Sequence, residues 1–380
     1  MGVNNQNINF KGISFIALSL FMSFGNVTAQ DKYIPFKEAF KGKFYVGVAI
    51  NRSQAQGSDA NEKQLIKSEF NSISPENDLK WENIHPSKDV YNFVPADAYV
   101  QLGKESGMFI IGHTLLWHSQ TPKWVFEDDK GNPVKRDVLL ERLKDHITKV
   151  MSRYKGTIKG WDVVNEALNE DGSLRDSKWR KIIGDDYIEK AFEYAHEADP
   201  AAELYYNDYN LYKKEKRNGA IEIVKRLKAK GLPIKAVGEQ GHYSLTGPEM
   251  ADVEATLSEF IKAGVNVNIT ELDISVLPDK GASTTADVSN NASYSKELDP
   301  YKDGLPKEIE KKLADRYKSL FMLYMKYEKN IDRVTFWGLT DRNTWLNNWP
   351  IRGRTNYPLP YNRDMSVKAD VKKEILQTVN

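Results

Sequence analysis

Residues 158–165 read Ile158-Lys159-Gly160-Trp161-Asp162-Val163-Val164-Asn165 and run directly into Glu166. This is an apolar, β-rich run of strand length. Upstream, in Val138 to Tyr154, Leu139, Leu143, Ile147 and Val150 recur at the spacing of three to four that buries one helix face. Downstream, Asp185 to Ala198 is a second helical stretch. The same alternation continues outward, with further strand candidates at Phe44-Ile50, Phe70-Ser74, Met108-His113, Glu203-Asn207, Lys235-Gly241, Asn266-Thr270 and Arg333-Gly338. Strand followed by helix, repeated eight times without a second cluster of strands, predicts an α/β protein with the (β/α)8 TIM barrel as a single catalytic domain. The pattern by itself leaves a doubly wound sheet open.

The first 29 residues stand apart. Lys11 is their only charge, an apolar run covers Ile13 to Phe24, and Val27-Thr28-Ala29 puts small residues at the −3 and −1 sites. We expect a cleaved export signal over 1–29 and a catalytic domain over 30–380, in a protein that is secreted or periplasmic. The apolar run is about half the roughly 20 residues that span a bilayer, which argues against an uncleaved anchor. Without that segment the chain is neutral, since 54 Lys+Arg face 53 Asp+Glu and Lys11 is lost. Neutrality gives no electrostatic reason for nucleic acid or an anionic membrane as partner. The absence of cysteine excludes disulfides, thiolate nucleophiles and Cys-based zinc sites. His113 and His118, five apart and beside a strand, lack the i, i+4 helical spacing of a zinc protease. No metal and no cofactor are expected.

In such a barrel the chemistry sits just after the strands. Glu166 ends the fourth strand candidate, and Glu271 ends the seventh in Val267-Asn268-Ile269-Thr270-Glu271-Leu272-Asp273. Three βα units separate them, which in a closed ring of eight puts them on roughly opposite sides of the mouth. Two carboxyl groups in different protonation states are what glycosidic hydrolysis needs: one protonates the leaving oxygen and the other attacks the anomeric carbon. A single glutamate after a strand is more simply a partner for a helix dipole. The paired positions favour catalysis.

Seven segments, in order, then carry a resemblance. They are Ser74-Pro75-Glu76-Asn77-Asp78-Leu79-Lys80-Trp81, Gly112-His113-Thr114-Leu115-Leu116-Trp117-His118, Trp161 to Ala167, Tyr206-Asn207-Asp208-Tyr209, Gly238-Glu239-Gln240-Gly241-His242-Tyr243, Thr270 to Asp273, and Thr335-Phe336-Trp337-Gly338-Leu339-Thr340-Asp341 with Trp345. Together they resemble glycoside hydrolase family 10, the barrel xylanases, over essentially the whole chain after residue 29. The resemblance implies a retaining endo-1,4-β-xylanase with Glu166 as acid/base and Glu271 as nucleophile, acting as a monomer on xylan and xylo-oligosaccharides. It also implies that His242 bridges Glu271 to an acidic residue, here Asp273. His113, Asn165 and Gln240 would face the sugar nearest the scissile bond, and Glu76, Asn77 and Lys80 the next one outward. Trp117, Trp337 and Trp345 would enclose the sugar, with Trp337 and Trp345 crowding C5 against a glucose hydroxymethyl group. Asn207 and Tyr209 would line the leaving-group side. Trp161 and Trp179 are expected in the core.

Three segments fall outside that pattern. Pro358-Leu359-Pro360-Tyr361-Asn362-Arg363-Asp364 departs from the family's last βα loop, Ser275 to Leu305 is a polar stretch longer than ordinary loops, and Lys213-Lys214-Glu215-Lys216-Arg217 is expected to be a solvated face. A related retaining barrel endoglucanase and a non-catalytic sugar-binding protein on the same fold remain as alternatives.

Overall fold

Eight parallel strands close into a barrel in the computed structural model, which describes residues 1–3, 33–278 and 295–379. They are β1 (Tyr45–Ile50), β2 (Ser72–Pro75), β3 (Phe109–Trp117), β4 (Gly160–Asn165), β5 (Glu203–Asp208), β6 (Ala236–Glu239), β7 (Asn266–Ser275) and β8 (Arg333–Phe336). Neighbours pair in chain order, and β8 returns to β1 with Arg333 opposite Tyr45. A helix follows each strand, from Ala60–Glu69 after β1 to Ala369–Leu376 after β8. Pro35–Asn380 form one compact unit. The expected export signal falls almost entirely in residues 4–32, outside the described residues. Among the described residues no helix is long and apolar enough to cross a membrane.

The strands alternate in facing, as a pleated backbone requires. Val46 and Val48, Trp161 and Val163, Val267 and Ile269, and Val334 and Phe336 join the apolar core between sheet and helices. Leu139, Leu143, Ile147 and Val150 of the helix Arg136–Arg153 meet them, each fully buried, as their spacing predicts. Trp161 and Trp179 lie in the same core. The opposite set faces the barrel axis. There the Arg333 guanidinium lies 4.6 Å from the centre of the Tyr205 ring and 3.8 Å from Asp162.

Two strands run well past their predicted ends. β3 continues to Trp117 and β7 to Ser275, each through an irregularity in register. The polar residues that suggest an end to β7 keep their backbone paired because a short strand, His242–Ser244, lies against its outer half with His242 opposite Asp273. Glu271 therefore sits within a strand, and the chain after Glu166 is not helical until Lys178, so neither glutamate caps a helix.

The Lys213–Arg217 run is not a solvated face. Lys214 and Glu215 are exposed, but Lys216 and Arg217 are buried. Helical periodicity turns them inward, where Lys216 meets Asp208 and Glu170, and Arg217 meets Glu259 at 2.7 Å. Residues 279–294 of the long stretch after β7 lie outside the described residues. Its two flanks dock on the loop after β8: Val276 N–H donates to Asn356 Oδ1 at 3.2 Å and Thr355 N–H to Asp299 Oδ1 at 2.7 Å. The departing segment 358–364 packs back on the same outlet, with the Leu359 N–H on Asp341 Oδ1 and Arg363 on Asn347 Oδ1.

Gly112 of β3 lies directly beside Trp161 of β4, and a Cβ there would stand 2.0 Å from the indole ring. We predict that Gly112→Ala destabilises the fold by about 1–3 kcal/mol, the usual cost of overpacking a filled core. Urea unfolding checks this, with the midpoint expected to fall.

Candidate active site

The outlets of the strands converge on a cleft of about 180 Å³. It is lined by Glu76, Asn77, Lys80, His113, Trp117, Asn165, Glu166, Gln240, His242, Glu271, Trp337 and Trp345, all singled out from the sequence, and by Gln120, which was not. Glu166 leaves β4 with φ +56°, a left-handed conformation costing roughly 1–2 kcal/mol outside glycine. The turn is held by its own N–H on Asn207 O at 2.9 Å and by Arg175 Nε on its carbonyl at 3.2 Å.

One hydrogen-bond chain joins the two glutamates. Trp345 Nε1 donates to Asp273 Oδ2 at 2.8 Å, and His242 bridges Asp273 Oδ1 at 3.0 Å and Glu271 Oε2 at 3.1 Å. Asn207 Nδ2 then donates to both Glu271 Oε1 and Asn165 Oδ1, each at 2.9 Å, and Asn165 Nδ2 donates to Glu166 Oε1 at 3.2 Å. Gln240 Nε2 and Trp117 Nε1 complete the shell of Glu166 at 3.0 and 2.8 Å. His113 is held from behind by Asp162 at 2.9 Å and meets Trp337 edge-on.

The structure separates the expected site residues by depth. Asn207 does not line the leaving-group side, as the sequence suggested; it is fully buried and ties the two carboxylates together from below. Asp273 likewise lies behind His242. Tyr209 borders a neighbouring cavity of about 390 Å³ with Tyr212, Tyr243 and Trp349, which shares His242 and Trp345 with the cleft. In the other direction an open groove of about 900 Å³ shares Asn77 and Gln120 with the cleft. The cleft is thus the middle of a trough that continues on both sides. Gln120 reaches it because Oε1 accepts from Lys80 Nζ at 3.0 Å, a long-range pairing that no local motif announces. Another hollow, of about 630 Å³, opens beside Tyr45, Phe109 and Arg333 at the opposite end of the barrel, away from both glutamates.

The environments drive the two carboxyls apart. Burial pushes Glu166 above the usual carboxylate range, and the negative charge of Glu271 adds to this, against the hydrogen bonds from Gln240 and Trp117. Burial therefore contributes more to the protonated state than the neighbouring charge does. Burial also pushes Glu271 upward, but the His242 hydrogen bond, the charges of His113 and His242, and Asn207 outweigh it and hold the group below its ordinary value. Burial opposes charge on His242 too, yet Asp273 and Glu271 raise it to about 10, so at neutral pH both ring nitrogens donate. Beside Lys80, burial raises Glu76 to about 7. Among the described residues no group of three His, Asp or Glu side chains is placed to hold a metal ion.

Comparison with known proteins agrees with this geometry. The family model described as "Glycosyl hydrolase family 10" matches residues 35–375. An endo-1,4-β-xylanase A of Xylanibacter ruminicola is 47% identical over 339 residues, covering 89% of this chain and 92% of that protein. A β-1,4-xylanase of Dictyoglomus thermophilum is 40% identical over 367 residues, covering 96% and 97%. The solved structure of a GH10 endoxylanase retrieved from a sugarcane soil metagenome superposes with a TM-score of 0.88 at 44% identity, covering 90% of this chain and 99% of that one.

Because the Trp117 N–H stabilises the ionised form of Glu166, Trp117→Phe should raise the pKa of that carboxyl further. Titration of ¹³C-labelled glutamate carboxyls by NMR would show it; an unchanged or lower value would refute the assigned role of the indole.

Proposed function

Given that this chain belongs to glycosyl hydrolase family 10, we propose that Glu166 is its acid/base and Glu271 its nucleophile. The enzyme is an endo-1,4-β-xylanase that cleaves internal bonds of xylan with retention of configuration. The observation that carries the assignment is the opposed setting of two buried carboxyls in one cleft, one raised and one lowered.

With a xylan chain along the trough, Glu166 enters protonated and gives its proton to the glycosidic oxygen while Glu271 attacks the anomeric carbon. Forming the ester removes the charge of Glu271, and with it one cause of the raised pKa of Glu166. Glu166 then accepts a proton from the water that releases the sugar, so one residue acts as acid and then as base. His242 keeps Glu271 ionised and oriented, and Asp273 keeps His242 charged. Asn165, His113 and Gln240 read hydroxyls of the sugar at the scissile bond, and Glu76, Asn77 and Lys80 those of the next, as short polar groups do. Trp117, Trp337 and Trp345 present aromatic surface to the sugar, and Trp337 and Trp345 crowd C5, favouring xylose over glucose. Tyr209 acts on the leaving-group side.

We further propose that residues 1–29 are a cleaved export signal, that 30–380 are the working domain, and that it acts as a monomer.

Four outcomes are expected. Glu271→Ala loses hydrolysis of xylan by several orders of magnitude; an unchanged rate would remove the nucleophile assignment. Proton NMR of the first product shows the β-anomer before mutarotation, whereas early α-anomer would mean inversion. The pH dependence of kcat/KM is bell-shaped: activity falls on the acid side as Glu271, held low, takes up a proton, and on the alkaline side as Glu166, held high, loses one. In Glu166→Gln, measured on an aryl xylobioside whose leaving group needs no proton, the alkaline limb should vanish.

A further inference from the structure

Lys216 touches neither catalytic glutamate, though its charge lowers the Glu166 carboxyl, and its side chain is fully buried. It lies 3.0 Å from Asp208 Oδ1, 3.1 Å from Glu170 Oε1 and 3.3 Å from the centre of the Tyr209 ring. These partners come from separate segments. Asp208 and Tyr209 stand at the outlet of β5, Glu170 is on the loop that follows Glu166, and Lys216 is in the first turn of the helix Lys214–Ala229.

A backbone contact brings the loop and the helix together. A Cβ on Gly172 would stand 2.2 Å from Glu215 O, and one on Gly219 would stand 2.3 Å from Gly172 O, so only glycine permits this approach. Glu170 also accepts from Lys213 and Asn210. From the other side Arg175 Nη2 donates to the Tyr209 hydroxyl at 3.1 Å, while its Nε holds the Glu166 carbonyl. The Tyr209 ring is therefore gripped on its face by one cation and at its hydroxyl by another, and it walls the 390 Å³ cavity beside the cleft.

We propose that Lys216 is a positioning residue for the leaving-group side, setting the pose of Tyr209 from a buried position no substrate reaches, a role that rests on the xylan-hydrolase function above. A solvated lysine is free to leave a ring. One confined between two carboxylates cannot, and its cation–π contact gains strength from desolvation. The Tyr209 wall then offers the first sugar beyond the cleaved bond a rigid surface, with little ordering left to occur on binding.

The test compares Lys216→Met with wild type on xylotetraose and on an activated aryl β-xylobioside, both at a temperature where circular dichroism overlays wild type. The aryl substrate puts no sugar on the leaving-group side. We expect kcat/KM on xylotetraose to fall at least about tenfold more than on the aryl substrate, chiefly through KM. The bonds cleaved in end-labelled xylopentaose should shift toward modes with fewer sugars on that side. Asp208→Asn/Lys216→Met removes both charges together, avoids a lone buried carboxylate, and should show the same split. Equal losses on the two substrates, or none, would overturn the proposal. Because the charge of Lys216 also lowers the Glu166 carboxyl, the alkaline limb should move upward in Lys216→Met; a displaced limb without any difference between the two substrates would equally overturn the proposal. A wild-type enzyme that cleaved the aryl substrate but not xylotetraose would instead refute the xylanase function itself.

Discussion

The bridge from Asp273 through His242 to Glu271 is the constraint on which the catalytic cleft depends. Three ionisable groups share a buried space in which a lone charge would be costly, and the imidazolium makes it tenable by donating from both nitrogens. One net negative charge results, aimed at the cleft. Asn207 and Asn165 carry the arrangement across to Glu166, which has no imidazolium hydrogen-bonded to it and which burial holds above the usual carboxylate range. The difference between the two glutamates is thus a difference in partners, imposed on the same residue type at the same depth.

That bridge in turn depends on backbone that extends past the barrel rim. β7 continues to Ser275 and gains His242–Ser244 as its neighbour, which places His242 directly opposite Asp273. A strand that stopped at Thr270 would leave Asp273 on a loop and the histidine without a fixed acceptor. On the other side of the mouth the left-handed turn at Glu166 needs the Asn207 carbonyl and Arg175 to hold it. The cleft is built from strained and overextended strand ends, and the closed ring below them supplies the rigidity.

Some of this was legible in the chain. Alternation of apolar strand runs with three-to-four periodicity exposes the eight strand–helix units, because the two periods are local properties, but leaves a barrel and a doubly wound sheet both open. Glu166 and Glu271 stand out because their segments recur at equivalent places three βα units apart. Asn207 was misassigned, since its motif shows that it is near the site but not whether it faces substrate or lies beneath. Gln120 was missed because its partner Lys80 is 40 residues away. Lys216 was taken for a surface charge because a cluster of lysines and a glutamate looks solvated until helical phase and packing partners are known.

The sequence by itself determined the order of strands and helices, the pair of carboxylates and, through the family motifs, the substrate class, because each is written in local periods or short contiguous runs. Only the tertiary structure decided which of those residues touch sugar and which lie behind them, how far β3 and β7 run, and that Lys216 is buried beneath Tyr209. Those outcomes depend on contacts between segments far apart in the chain. The free energy of burying a charge is set by whichever distant groups arrive to meet it, and no local stretch of sequence carries that information.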